Sequence, residues 1–172
     1  MQVLLSSKQL AKTVSQLVQQ LNSHHPVLDD VVLIGIQQGG VLVADDMVAE
    51  LQPLHRGQPI QYGQLDITFY RDDIRQEILA PDRMNIPFGI EDKTVLLVDD
   101  VLFTGRTIKA ALDVLLDYGR PAKVELCVLI DRKEHRQFPI QADYIGKEVK
   151  SKKEEKVKLQ KEGKGSTVIL LP

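Results

Sequence analysis

The chain has one cysteine, Cys127, which excludes an internal disulfide, and the neighbours Leu126 and Val128 predict a buried, inert thiol. No apolar stretch runs beyond five or six residues, far short of the ~20 that a membrane helix needs. No basic-then-apolar leader opens the chain either, so the expectation is an intracellular, cytoplasmic protein with no membrane partner. G-x-x-x-x-G-K-[ST] is absent, which excludes a Walker nucleotide site, and the absence of G-x-G-x-x-G argues against a dinucleotide site. His24, His25 and His55 show no metal-ligand spacing. A net charge of −2 gives no overall attraction to nucleic acid.

What is present is ordinary globular material: 172 residues, 43% hydrophobic and 27% charged. That length suits a single domain over residues 1–172 with a full core. Charge is unevenly spread. From Lys147 to Lys164 eight lysines face four glutamates, so this stretch carries +4 and the remainder −6. Either a solvated hairpin with lysines on its edge or a polyanion-binding patch accounts for it.

Along the chain, Ser6 or Ser7 caps a predicted helix over 8–21, with Leu10, Val14, Leu17, Val18 and Leu21 at three- and four-residue spacing. Residues 31–34 predict a buried strand, 35–40 a glycine turn and 41–51 a second amphipathic helix. A strand is expected over 59–70. Residues 71–91 are polar, contain Pro81 and Pro87, and show no period, which predicts a mobile loop of the active-site lid kind. Strands follow at 94–98, 124–130 and 143–146, a helix at 108–118, and a hairpin over 156–159 and 167–171. This alternation predicts an α/β fold with a mostly parallel sheet flanked by helices.

The chemistry concentrates after the strand at 94–98, because ligands of open α/β sheets bind beyond the carboxyl ends of strands. Asp99 and Asp100 come first, then Val101, Leu102, Phe103, and the turn Thr104-Gly105-Arg106-Thr107 at the start of a helix. Hydroxyls, a glycine and unpaired helix N–H groups suit a phosphate. The carboxylates would repel a bare polyphosphate but accept hydrogen bonds from sugar hydroxyls, or hold Mg²⁺ through water. Ribose plus phosphate satisfies both halves.

Residues Val98 to Thr107 resemble the motif by which type I phosphoribosyltransferases bind 5-phosphoribosyl 1-pyrophosphate (PRPP). Four further blocks, Gly63–Asp73, Asn85–Phe88, Leu116–Ala122 and Ala142–Lys147, are similar in order and spacing to the pyrimidine operon attenuation proteins that double as uracil phosphoribosyltransferases. The resemblance implies the type I phosphoribosyltransferase fold with a loop about 71–91 and a small hood and C-terminal hairpin about 143–172. It implies uracil plus PRPP giving UMP and pyrophosphate with Mg²⁺, a homodimer or higher homo-oligomer, and regulation through a messenger RNA leader. By matching positions, Asp99 and Asp100 would hold the ribose hydroxyls and the nearby magnesium, Thr104 to Thr107 the 5-phosphate, and Arg71 the pyrophosphate; Arg75 matches less well. Phe103 stands where many relatives carry an acidic proton acceptor for the base.

Three departures from the family are visible. Gln38-Gly39-Gly40 replaces a usual Thr-Arg-Gly in the pyrophosphate loop, which leaves backbone approach but removes a cation. Glu148 to Lys153 replaces a Val-Pro-Thr-Ser-like segment near the base pocket. The predicted first helix carries only Lys8 and Lys12 for RNA, although Arg132, His135 and Arg136 remain as candidate RNA contacts. Alternatives are a UMP- or PRPP-sensing regulator with weak catalysis, a purine phosphoribosyltransferase, and a receiver-like signalling domain, for which the acidic pair comes too late in the chain.

Overall fold

Ser6 closes the N-terminus of α1 (Ser7–His24) through a reciprocal capping box. The Ser6 hydroxyl accepts the Gln9 N–H at 3.4 Å and the Gln9 side chain accepts the Ser6 N–H at 2.9 Å. The stripe predicted from spacing, Leu10 to Leu21, is buried along this helix. The computed structural model describes residues 1–67, 84–163 and 165–172. Arg71, Arg75 and most of the expected loop lie outside the described residues.

The principal sheet is built from β2 (Val31–Ile36), β3 (Gln61–Leu65), β4 (Met84–Asn85), β5 (Thr94–Leu102), β6 (Lys123–Asp131) and β7 (Tyr144–Glu148). Its order is β4-β3-β2-β5-β6-β7. Five strands run parallel and β4 pairs antiparallel on the edge. Side chains alternate between two cores, as a sheet covered on both faces requires. Leu33, Leu96, Val98, Cys127 and Leu129 meet α1 and α2 (Gly39–Leu54); Val32, Ile34, Leu97, Leu126 and Val128 meet α3 (Arg106–Tyr118). Cys127 is fully buried, and burial pushes its thiol pKa up to about 12.

A second sheet joins the two ends of the chain. β8 (Lys156–Glu162) and β9 (Gly165–Leu171) form the expected hairpin, and β1 (Gln2–Leu5) adds to its far side in the order β1-β9-β8. Leu5 on β1 and Val168 on β9 seat this sheet in the core shared with α1. The expected 143–172 unit is thus divided, with β7 belonging to the principal sheet.

Several predicted bounds move. The strand at 94–98 runs on through the acidic pair to Leu102, because its pairing with β6 continues to Asp131. The helix expected from Val41 begins at Gly39, and that expected from Ile108 begins at Arg106. No helix among the described residues is long and apolar enough to cross a membrane.

Candidate active site

Asp99 and Asp100 lie within β5, so alternation sends their side chains to opposite faces of the sheet. Asp99 is buried and lines a cavity of about 520 Å³ on the α3 side. Asp100 points toward the start of α2, where a Cβ on Gly39 would lie 2.1 Å from its Oδ2. Each carboxylate accepts one backbone N–H through Oδ1 at 2.9 Å: Asp100 N donates to Asp99, and Val101 N donates to Asp100.

The turn after β2 packs on the same strand end. A Cβ at Gly40 would lie 2.3 Å from the Val98 carbonyl oxygen, so two backbones touch here and only glycine fits. Gln38 precedes the helix and is joined to Gln37 by a cis peptide bond. Gln38, Gly39 and Gly40 are not among the residues lining the 520 Å³ cavity; Gly39 packs on Asp100 and Gly40 on the backbone of Val98 and Asp99.

On the cavity side, Val101 to Ile108 form one wall. Gly105 sits at the N-cap of α3 with φ of 92°, a left-handed conformation that favours glycine. Among the described residues no side chain caps this helix. Thr104 shapes the turn instead: its Oγ1 accepts the Arg106 N–H at 3.3 Å and its carbonyl accepts the Gln137 N–H at 2.9 Å. The Arg106 side chain lies along the rim, donating to Gln137 Oε1 at 3.0 Å and passing 5.4 Å from the Phe138 ring centre. The result is a helix N-terminus opening on a cavity that also contains a buried carboxylate.

The opposite wall comes from the lysine-rich segment, residues 153–158. Its charge was visible in the sequence, but not that it faces the turn before α3, since this depends on β8 pairing with β9. Arg132, His135 and Arg136 are also placed differently from an open nucleic-acid surface. Arg132 is only 3% exposed. Its guanidinium lies 3.9 Å from the Phe103 ring centre, with Nε donating to Ser151 Oγ at 2.7 Å and Nη2 to the Lys152 carbonyl at 2.8 Å. Burial pulls the Arg132 pKa down, against the opposing pull of Glu134 and Glu155. Arg136 donates to the Phe103 carbonyl at 2.7 Å and pairs at 2.6 Å with Asp131, which is fully buried. His135 Nε2 lies 2.6 Å from the Ser151 carbonyl and its ring meets Phe103 edge-on. Arg132 and His135 tie Phe103 to residues 151–152, and Arg136 ties the Phe103 carbonyl to Asp131. Ser151, within the departing segment 148–153, and Asp131, which no sequence pattern singled out, join them.

Residues 2–163 match the phosphoribosyl transferase domain family. The chain is 44% identical over 156 residues to the bifunctional protein PyrR of Chloroflexus aurantiacus, covering 90% of this chain and 85% of that one. It is 43% identical over 157 residues to that of Picosynechococcus sp., covering 91% and 88%. The chain belongs to the bifunctional PyrR family of phosphoribosyltransferases. A solved hypoxanthine phosphoribosyltransferase from Staphylococcus aureus is 24% identical, with a TM-score of 0.69 over 87% of this chain and 78% of that one. That likeness is one of fold, and it bears out the type I phosphoribosyltransferase architecture over a receiver-like one.

Proposed function

We propose that this chain transfers the phosphoribosyl group of PRPP to uracil at the cavity between β5, α3 and residues 153–158. It is a pyrimidine regulator with uracil phosphoribosyltransferase activity, as a bifunctional PyrR protein. The observation that carries the site is the uncapped start of α3 at Gly105, opening on a cavity lined by Asp99. The 5-phosphate sits on Thr104 to Thr107 and Asp99 takes the ribose hydroxyls. The backbone of Gly39-Gly40, beside the acidic pair, faces the pyrophosphate; Arg71, the other residue assigned to it, lies outside the described residues. Displacement at the anomeric carbon passes through an oxocarbenium-like state, so the protein mainly positions two reactants and stabilises the leaving group.

Mg²⁺ fits this donor set as a substrate-held ion. Among the described residues no three metal-ligating side chains converge. Asp99 and Asp100 are hard oxygen donors of the type Mg²⁺ takes alongside phosphates and retained waters. Either carboxylate, each on its own face of β5, would hold the ion through water, and the charge it would supply there would offset that of the pyrophosphate.

The regulatory half of the reading is contact with a messenger RNA leader by a homodimer or larger assembly in the cytoplasm. Lys8 and Lys12 on α1 are exposed cations for it, whereas Arg132 and Arg136 are engaged around Phe103. Incubation with Mg²⁺, PRPP and uracil, hypoxanthine, guanine or orotate tests the activity. UMP formation from uracil is expected. A purine nucleotide as main product, or none, overturns the reading.

A further inference from the structure

Uracil carries a proton on N1, the atom that attacks the ribose, and Phe103 offers no acceptor beside it. Resting on the activity proposed above, we infer that Arg132 binds the base as its N1 anion, the Nη1 edge of its guanidinium donating to the carbonyl oxygen on C2, next to N1.

Arg132 lines the cavity together with Asp99, Phe103 and the phosphate turn. Its volume, about 520 Å³, is within the range of a small-molecule site. The guanidinium is held on three sides, by the Phe103 ring beneath it, by Ser151 Oγ and by the Lys152 carbonyl. Those contacts use Nε and Nη2; among the described residues Nη1 donates to no side chain or carbonyl. A nearly buried residue that lines a cavity and has a donor without a partner among the described residues favours an acceptor carried by the ligand. The group remains a cation, as arginine does in proteins, and in a poorly solvated site a fixed cation stabilises an anion far more than in water. Preorganisation by residues 151–152 means that no reorganisation is needed when the base arrives.

The chemistry balances without a protein base. The N1 proton leaves to water before binding. The N1 electron pair then forms the N1–C1′ bond as the C1′–O bond to pyrophosphate breaks, and that pair departs with the pyrophosphate.

Glu134 and Glu155 act on Arg132; Asp131 precedes it in the chain, and Asp99, Arg106, Lys153, Glu154, Lys156 and Lys158 line the cavity with it. His135 is the one neighbouring side chain of a type that ordinarily changes charge near neutrality, so it is the rival proton acceptor.

The test is the pH dependence of KM for uracil at saturating PRPP and Mg²⁺. From about pH 6 to about pH 9, 1/KM is expected to rise about tenfold per unit while kcat stays level, because only the ionised base binds. Arg132→Gln should raise KM and flatten its pH dependence, Arg132→Lys should keep the slope, and His135→Gln should keep it too. A flat KM in the unaltered protein overturns the proposal, as does a slope that survives Arg132→Gln or disappears in His135→Gln. Should Arg132→Gln fail to fold in a thermal melt, the unaltered and His135→Gln profiles decide alone. No UMP at any pH is a separate result, which removes the activity itself.

Discussion

The Asp100 carboxylate occupies the space in which a side chain at position 39 would begin, with Oδ2 2.1 Å from an ideal Gly39 Cβ. Gly39 is therefore packed directly against the acidic pair. Gly39→Ala forces Asp100 aside and breaks its bond to the Val101 N–H, with an expected loss of about 1–3 kcal/mol by overpacking. In an Asp100→Ala background most of that loss disappears, since only a Cβ contact at 2.9 Å remains. Gly40→Ala has no such rescue, because it meets the backbone at Val98 and Asp99. Denaturant melts of the single and double variants check this; equal penalties in both backgrounds contradict it.

Gly105 holds the phosphate turn with φ of 92°, and an added Cβ would also lie 3.3 Å from Ile140 Cδ1. Gly105→Ala is expected to cost about 1–3 kcal/mol from the strained backbone. It should also weaken UMP binding more than it lowers stability, because the turn relaxes away from the geometry that presents the α3 N–H groups. Calorimetric titration with UMP alongside a thermal melt separates the two effects.

The strand through Val95 to Val98 and the helix after it were legible because apolar runs and periodicity are local properties. The small sheet was only half legible. β1 spans four residues, and what makes it a strand is pairing with β9 at the other end of the chain. The acidic pair was recognisable by composition, but the opposite facing of Asp99 and Asp100 depends on β5 continuing its pairing to Asp131. Arg132, His135 and Arg136 look like a surface cluster in sequence. Their inward placement comes from Phe103 and Ser151, which are remote in the chain, and from the buried charge of Asp131.

Asp131 is fully buried, and its Oδ2 has no hydrogen-bond partner among the described residues, so Arg136 on Oδ1 is its compensation. Arg136→Ala strands that charge and is expected to destabilise the protein by about 3–5 kcal/mol. Replacing Lys133, which pairs with Glu148 where both are about half exposed, should change stability little. Urea melts compare the two. If Arg136 instead serves RNA from an open surface, Arg136→Ala leaves the melt unchanged and lowers only the salt dependence of RNA binding.

Glu125 lies on β6 at the end of the sheet opposite the cavity, and its carboxylate gathers three donors. Lys123 Nζ lies at 2.7 Å, Tyr144 OH at 2.8 Å and His25 Nε2 at 2.9 Å. Burial alone would raise its pKa, but the hydrogen bonds from Lys123, His25 and Tyr144 outweigh burial and hold it at about 2, below the 4.5 of a free glutamate. A depressed carboxyl stabilises the fold above its unfolded pKa and loses that contribution as pH falls through the folded one. Stability from this cluster is therefore complete above pH 4.5 and fades from there toward pH 2. Glu125→Gln should lower stability at neutral pH and flatten the acid limb of a stability-versus-pH curve, while kcat of the folded protein is unchanged. An acid limb of the same steepness in both proteins would show that other carboxylates govern acid unfolding.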